Sequence, residues 1–289
     1  MLVFVVIFFS GNILVGKAIN ELPPFTIAFF RLLIAFVVLL PIGLRGAWEF
    51  RSEYWKYRKP FLVMTLTGIT FFNTFIYGAL QFTTSTNVSV LETVIPVVTI
   101  VMSTFILKER LRRIQWIGVV MSLIGAIWVV MDGRLLQIAK MAWNVRDAIM
   151  IAAIGSWALY SIKVKQYMHL FPTYGTLLMM SVISVIILLP IVIAEWFIAG
   201  LPLLDVPNVS GLLYLGIFPS FIALMFYNQA VHLLSASQAS VFLNFLPVVT
   251  MIGAYLWLDE DPTAMQIIGA LAVIGGVMLT TQSVEKQKE

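Results

Sequence analysis

Two charged residues lie deep within apolar sequence, Arg31 and Glu92, and each needs a reason to be there. A charge at the centre of a bilayer-spanning helix costs roughly 2.5–3.5 kcal/mol on insertion scales. Either the two pair with each other, or Glu92 meets a cationic group or a proton while Arg31 is held by a structural partner. Glu92 also belongs to a stripe: Ser85, Ser89, Glu92, Pro96, Thr99 and Ser103 recur at spacings that put side chains on one helix face. Thr70, Asn73, Tyr77, Gln81 and Thr84 form a second stripe, and Ser237, Ser240, Asn244 and Pro247 a third. Ser156, Tyr160 and Lys163, then Ser220 and Tyr227 with Asn228 alongside, then Asn12 with Gly16, complete the set. Hydrocarbon offers no hydrogen bonds, so these faces turn inward. A single Ser or Thr among them reads first as interhelical glue; six stripes read better as the wall of a polar cavity.

The chemistry such a wall supports is recognition. Tyr77, Trp157, Tyr160 and Tyr227 would give it an apolar surface with polar handles, suited to amphipathic cargo such as aromatic or branched amino acids. The candidate substrate-binding residues are Asn12, Asn73, Tyr77, Glu92, Trp157, Tyr160, Tyr227, Asn228 and Asn244. Pro96 and Pro247 are expected mid-helix, where proline removes a hydrogen bond and frees a carbonyl. Paired interruptions of this kind point to a transporter's midplane site; a kink needed only for packing is the competing reading. His232 titrates near neutral pH and joins Glu92 and Arg31 as a candidate for coupling or ion pairing, although it falls near a helix end. Catalysis is not expected: there are two His and no Cys, and neither an HExxH nor a GxSxG pattern occurs. No metal or cofactor is expected either.

The elements that must position these residues follow from composition. Of 289 residues, 61% are hydrophobic and only 11% charged, with a mean hydropathy of +0.98. A soluble chain needs far more charged surface, so the reading is an all-α integral membrane protein. The excess of Lys and Arg falls between apolar runs rather than along one face, which excludes nucleic acid as a partner. The partners expected are a small-molecule substrate and the lipid bilayer, with the chain a monomer or weak homodimer. Met1 to Phe9 lacks a basic flank and reads as the start of a membrane helix, not a signal peptide.

A bilayer-spanning helix needs roughly 20 apolar residues. Ten stretches qualify, near 2–19, 24–43, 60–81, 86–107, 114–131, 148–165, 172–194, 209–232, 236–257 and 264–282. Basic residues cluster at alternate connections: Arg45 to Lys59, Lys108 to Arg113, Lys163 and Lys165, and the tail. The positive-inside rule then places both termini in the cytoplasm. Lys17 and Lys163 lie near helix ends and can snorkel. Trp116, Trp128, Trp143, Trp196 and Trp257 fit interfacial belts.

The chain also repeats itself. Pro96-Val97-Val98-Thr99 returns as Pro247-Val248-Val249-Thr250, and at the same offset of 151 Glu109 matches Glu260, Gln115 matches Gln266 and Gly125 matches Gly276. Pro24 matches Pro172. With five helices in each half, the second half inserts upside down, an architecture frequent among secondary transporters. The expected organisation is a first repeat over 1–131, a loop over 132–147, a second repeat over 148–282 and a cytoplasmic tail over 283–289.

Pro23-Pro24-Phe25 leading to Phe30-Arg31-Leu32, and Pro96 to Glu109-Arg110-Leu111 followed by Gln115-Trp116-Ile117-Gly118, resemble the drug/metabolite transporter superfamily in its EamA-type branch. Pro247 to Glu260 and Gln266 to Gly276 repeat the pattern. The resemblance implies a ten-helix exporter with a central cavity, moving amino acids, nucleotide precursors, other metabolites or drugs across the inner membrane. The sequence departs from common members in one respect: Glu92 stands four residues before Pro96, where many relatives place a Glu directly before the proline. The function expected is therefore secondary export of small metabolites by alternating access, amino acids first. Drugs or nucleosides, with or without proton coupling, are the alternatives, and a channel or an intramembrane enzyme a remote one.

Overall fold

In the computed structural model the residues described are 1–106, 113–130, 145–202, 204–233 and 242–281. Among them every regular element is helical. The chain runs through α1 (Leu2–Ala18), α2 (Pro24–Glu49), α3 (Arg51–Lys56), α4 (Arg58–Met64), α5 (Phe72–Leu80), α6 (Ser85–Glu92), α7 (Ile95–Ile106) and α8 (Arg113–Val130). It continues as α9 (Val145–Tyr167), α10 (Thr173–Ala199), α11 (Val206–Ile217), α12 (Leu224–Leu233), α13 (Leu246–Trp257) and α14 (Ala264–Thr281). Among the described residues six helical stretches are long and apolar enough to cross a bilayer: Pro24–Glu49, Arg58–Leu80, Ser85–Met102, Ala148–Leu170, Thr173–Ala199 and Val206–Val231. Shorter apolar helices cover Leu2–Ala18, Trp116–Gly125, Leu246–Trp257 and Ala264–Gly276. Helix α9 begins within the expected inter-repeat loop; the rest of that loop, the tail and Lys108 to Arg112 lie outside the described residues.

Local chemistry sets the helix starts. Pro24 opens α2, where its missing N–H would have had no partner anyway. Thr84 caps α6 by accepting from the Asn87 N–H at 3.2 Å, and Asp205 caps α11 through the Asn208 N–H at 2.9 Å. The most extensive packing joins α2 to α10 and α8 to α14. At the first of these a Cβ on Gly175 would lie 2.7 Å from the Ala47 nitrogen, so the two backbones meet only because that residue has none.

Four interruptions set the interior apart. A π-helical segment, Thr65–Phe71, joins α4 to α5, and a second, Phe218–Ala223, joins α11 to α12. The helix carrying Glu92 stops at α6 and restarts at Ile95, and a 3-10 turn, Phe242–Phe245, precedes α13. This corrects the placement expected for the two prolines. Pro96 and Pro247 are each the second residue of a new helix, α7 and α13, rather than mid-helix. A first-turn proline loses no intrahelical bond; each marks where a broken helix resumes.

One end of the bundle is tied by polar side chains. Lys17 Nζ donates to the carbonyls of Leu80 and Thr83, both at 2.9 Å, so it is anchored to protein rather than reaching to an interface. The Glu260 carboxylate accepts from Ser85 N–H at 3.1 Å and Ser85 Oγ at 2.7 Å, closing the start of α6. The Glu195 carboxylate does the same for α2, accepting from Phe25 N–H at 3.2 Å, Thr26 N–H at 2.8 Å and Thr26 Oγ1 at 2.7 Å. Trp196 Nε1 donates to the same Thr26 hydroxyl at 2.9 Å, which places that indole in the latch.

Candidate substrate cavity and vestibule

All four interruptions converge on one small cavity. Gly68 and Ile69 come from the first π segment, Pro219 and Ser220 from the second; Glu92, Ile95, Leu243 and Leu246 come from the two helix breaks. Gly68 pairs with Pro219 at an offset of 151, as do Ile69 with Ser220, Asn73 with Leu224, Glu92 with Leu243, and Ile95 with Leu246. The pairs match in place and differ in character. The first half of the chain supplies Asn73 and Glu92 where the second supplies Leu224 and Leu243. The cavity therefore has a polar side and an apolar side.

Arg31 organises the polar side. It is buried, and its Nε donates to Ser220 Oγ at 2.8 Å. Its Nη1 donates to Asn12 Oδ1 at 2.8 Å, to Asn73 Oδ1 at 2.7 Å and to the Tyr77 hydroxyl. Tyr77 in turn donates to Asn12 Oδ1 at 2.8 Å, and Asn73 Nδ2 to the Ile69 carbonyl at 3.0 Å. The Ser220 hydroxyl donates to the Leu215 carbonyl five residues back, across the π segment. Three elements, α1, α5 and the second π segment, are thus fastened to one guanidinium on α2 through neutral acceptors.

Glu92 borders the same cavity, 6% exposed. Of the two readings for this pair, the ion pair is absent. The ion pairs among the described residues are Arg45–Glu49 and Lys56–Glu53, both on exposed side chains, and no hydrogen bond reaches the Glu92 carboxylate. Because the helix is broken and Pro96 has no N–H, the backbone carbonyl of Glu92 also lacks its usual i+4 donor.

The apolar side is aromatic and aliphatic. Trp157 lies against Phe72, Tyr160, Tyr227 and Phe9, at ring separations of 4.5, 5.2, 5.5 and 5.8 Å. Its indole Nε1 is buried and makes no well-aligned hydrogen bond, although the Tyr227 hydroxyl lies within reach of it. The water-accessible space enclosed is about 30 Å³, enough for one or two waters; the centre is closed in this conformation.

A second cavity begins one helical turn away. Tyr160 donates to Asn228 Oδ1 at 3.0 Å, and its ring rests on Gly68, where a Cβ would come within 2.2 Å of it. Beyond Asn228 a vestibule of about 380 Å³ is lined by residues that include Met168, His169, Thr173, Met225 and Gln229. That volume falls in the range of small-molecule sites.

The candidates from the sequence thus divide. Asn12, Asn73, Glu92 and Trp157 line the central cavity with Arg31. Tyr77 braces Arg31, Tyr160 and Tyr227 pack behind Trp157, and Asn228 faces the vestibule. The side chains of Asn244 and His232 and the residues Ser237 and Ser240 lie outside the described parts. Of the stripe running from Ser85 to Ser103, Ser85 belongs to the Glu260 latch, while Ser89 and Thr99 bond their own helix backbone. Sequence reasoning passed over the apolar lining, Phe9, Phe72, Leu224, Leu243 and Leu246, although the offset of 151 would have led from Asn73 and Glu92 to two of them.

A family model described as the EamA-like transporter family matches residues 1–131 and again 147–282. An uncharacterized transporter of Archaeoglobus fulgidus is 27% identical over 284 residues, covering 97% of this chain and 96% of that one. The uncharacterized transporter YyaM of Bacillus subtilis is 26% identical over 257 residues, covering 88% and 83%. A probable terminal-alkyne amino-acid exporter of Streptantibioticus cattleyicolor is 25% identical over 191 residues, covering 66% and 62%. A solved crystal structure, 18% identical, superposes over 99% of both chains with a TM-score of 0.66.

Proposed function

The chain belongs to the EamA-like transporter family, and we propose that it exports zwitterionic amino acids with apolar side chains across the inner membrane by alternating access. The observation that carries this reading is the Glu92 carboxylate, without a partner among the described residues, on the polar side of a cavity whose other side is aromatic and aliphatic. A buried carboxylate without a partner is costly, so its counter-charge comes from what the cavity holds. An α-ammonium group meets that need. The buried Nε1 of Trp157, which makes no well-aligned hydrogen bond, is a donor for the carboxylate of the same molecule, and Phe72, Leu224 and Leu243 receive the side chain. Arg31 holds the polar side in place, with its Nε engaged by Ser220 and its Nη1 by Asn12, Asn73 and Tyr77.

The proposal includes ten membrane helices in two inverted five-helix repeats. Its support is the double family match, the offset of 151 across the cavity wall, and a reciprocal packing pattern. Contacts of α9 with α5 and α7 correspond to contacts of α1 with α12 and α13, and the packing of α10 on the first π segment corresponds to that of α2 on the second. Both termini are proposed to be cytoplasmic, a reading supported by the basic residues at the end bearing Arg51 to Lys59. On this reading the Glu260, Glu195 and Lys17 contacts shut the outer end while the vestibule faces inward.

One observation favours a second reading. Glu92 beside an aromatic wall also suits an amphipathic amine that has no carboxylate. Exchange by purified protein in liposomes separates the two. Saturable counterflow of labelled leucine or phenylalanine supports the amino-acid reading; counterflow only of amines lacking a carboxylate replaces it.

A further inference from the structure

Where one apolar stretch, Pro24–Glu49, ends and the next, Arg58–Leu80, begins, the chain makes the same arrangement twice. Trp48 is followed three residues on by Arg51, and Trp55 by Arg58. In each pair the guanidinium carbon lies over the indole, at 4.9 Å for Arg51 on Trp48 and 5.1 Å for Arg58 on Trp55. In each, Nη1 donates to the carbonyl of the same tryptophan, at 3.0 and 3.4 Å. A guanidinium folded onto an indole and its backbone is held in one orientation. Neither Nε nor Nη2 of these two arginines meets an acceptor among the described residues.

Both indoles are exposed, Trp48 by 67% and Trp55 by 71%, and exposed tryptophans at the ends of membrane spans lie at headgroup depth. The backbone that carries them is fixed. Tyr54, on α3 between the two pairs, is buried, stacks on Phe171 at 5.0 Å and has its hydroxyl 3.4 Å from Thr176 Oγ1. Charge points the same way. From Arg45 to Lys59 the chain carries five basic residues against two acidic ones. Arg45 pairs with Glu49 and Lys56 with Glu53, which leaves Arg51, Arg58 and Lys59 without a carboxylate among the described residues. We propose that the two indole–guanidinium pairs bind anionic phospholipid in the leaflet at this end, each arginine donating to the phosphodiester and each indole lying against the glycerol and upper acyl chain. The planar fork of arginine matches phosphate oxygens. A zwitterionic headgroup brings its own ammonium and leaves the surplus positive charge unmatched, whereas an anionic one neutralises it.

The test counts bound lipid on the purified full-length protein in detergent by native mass spectrometry, during titration with dioleoyl phosphatidylglycerol or dioleoyl phosphatidylcholine. The wild type should bind the glycerol lipid about tenfold more tightly, the order expected for two partly screened arginines. The double variant Arg51→Gln/Arg58→Gln should bring that preference below about threefold. Arg45→Gln/Lys56→Gln removes the same formal charge from the same segment and should keep most of the preference. Trp48→Leu/Trp55→Leu keeps both arginines and should weaken phosphatidylglycerol binding about threefold, because the indoles no longer orient them. All six positions are exposed, and each preference is a ratio within one variant, so a change in stability cancels. Equal binding of the two lipids by the wild type overturns the proposal. Equal losses in the two charge variants also overturn it, since the effect is then general surface charge, and so does a tryptophan variant that binds as the wild type does. Displacement of phosphatidylglycerol by an equal concentration of glycerol phosphate overturns it too, because the occupant is then a soluble phosphate.

Discussion

Arg31 and Glu92 border one buried cavity, yet no ion pair joins them. The Nε and Nη1 groups of the guanidinium are engaged by Ser220, Asn12, Asn73 and Tyr77, all neutral, while the carboxylate borders the cavity with no hydrogen-bond partner among the described residues. Two opposite charges so placed have different tasks. On the proposed reading Arg31 is a brace whose removal should disturb the fold, and Glu92 a binding group whose removal should disturb recognition.

The brace predicts a stability effect. Arg31→Ala leaves the Asn12, Asn73 and Ser220 oxygens without their donor, and each unsatisfied buried group costs about 1–3 kcal/mol. The melting temperature of the purified protein in detergent should fall by several degrees, with Arg31→Lys recovering only part of the loss because a point charge cannot span the same acceptors. Unchanged melting would assign Arg31 to the substrate instead.

How much of this was legible beforehand depends on polarity. Asn12, Asn73, Glu92 and Trp157 stood out because polar or large aromatic residues are conspicuous in apolar sequence, and the structure brings them to one wall. Leu224 and Leu243 did not, since in a chain that is apolar towards lipid and towards its own core, hydrophobic periodicity no longer marks an inward face. The prolines read as mid-helix because sequence gives no sign of the breaks at 93–94 and 242–245 that precede them. The π segments have no sequence signature either; only the structure connects Gly68 with Tyr160.

Gly68 carries the second prediction. A Cβ there would come within 2.2 Å of the Tyr160 ring, and overpacking of this kind typically costs 1–3 kcal/mol. Gly68→Ala should lower the melting temperature and, by pushing Tyr160 off its seat, weaken the Tyr160–Asn228 bond. In a double-mutant cycle with Tyr160→Ala the two substitutions should couple by at least about 1 kcal/mol. Additive effects would mean that the ring does not rest on this glycine.

At the opposite end, Glu260→Gln weakens the cap on α6. Loss of a cap of this kind costs about 1 kcal/mol, and amide exchange at Ser85 to Ser89 should accelerate about fivefold. Ser85→Ala in the same background should add little, because both changes strike one contact. Full additivity would contradict the latch.

Trp157→Phe keeps an aromatic ring beside Phe72 and Tyr227 while deleting the Nε1 donor. If that donor meets the substrate's carboxylate, the apparent affinity for leucine should drop about tenfold, whereas binding of isoamylamine, its decarboxylated counterpart, should be unchanged. A parallel loss for both ligands would place the effect in packing.

The most direct measurement is counterflow of labelled leucine and phenylalanine into liposomes by wild-type protein and Glu92→Gln, each shown to have the same melting temperature. The account predicts saturable counterflow by the wild type and a loss of apparent affinity of about 10- to 100-fold in the variant, the size of a charge-assisted bond to a buried carboxylate. Glu92→Gln transporting both amino acids as well as the wild type does would contradict it.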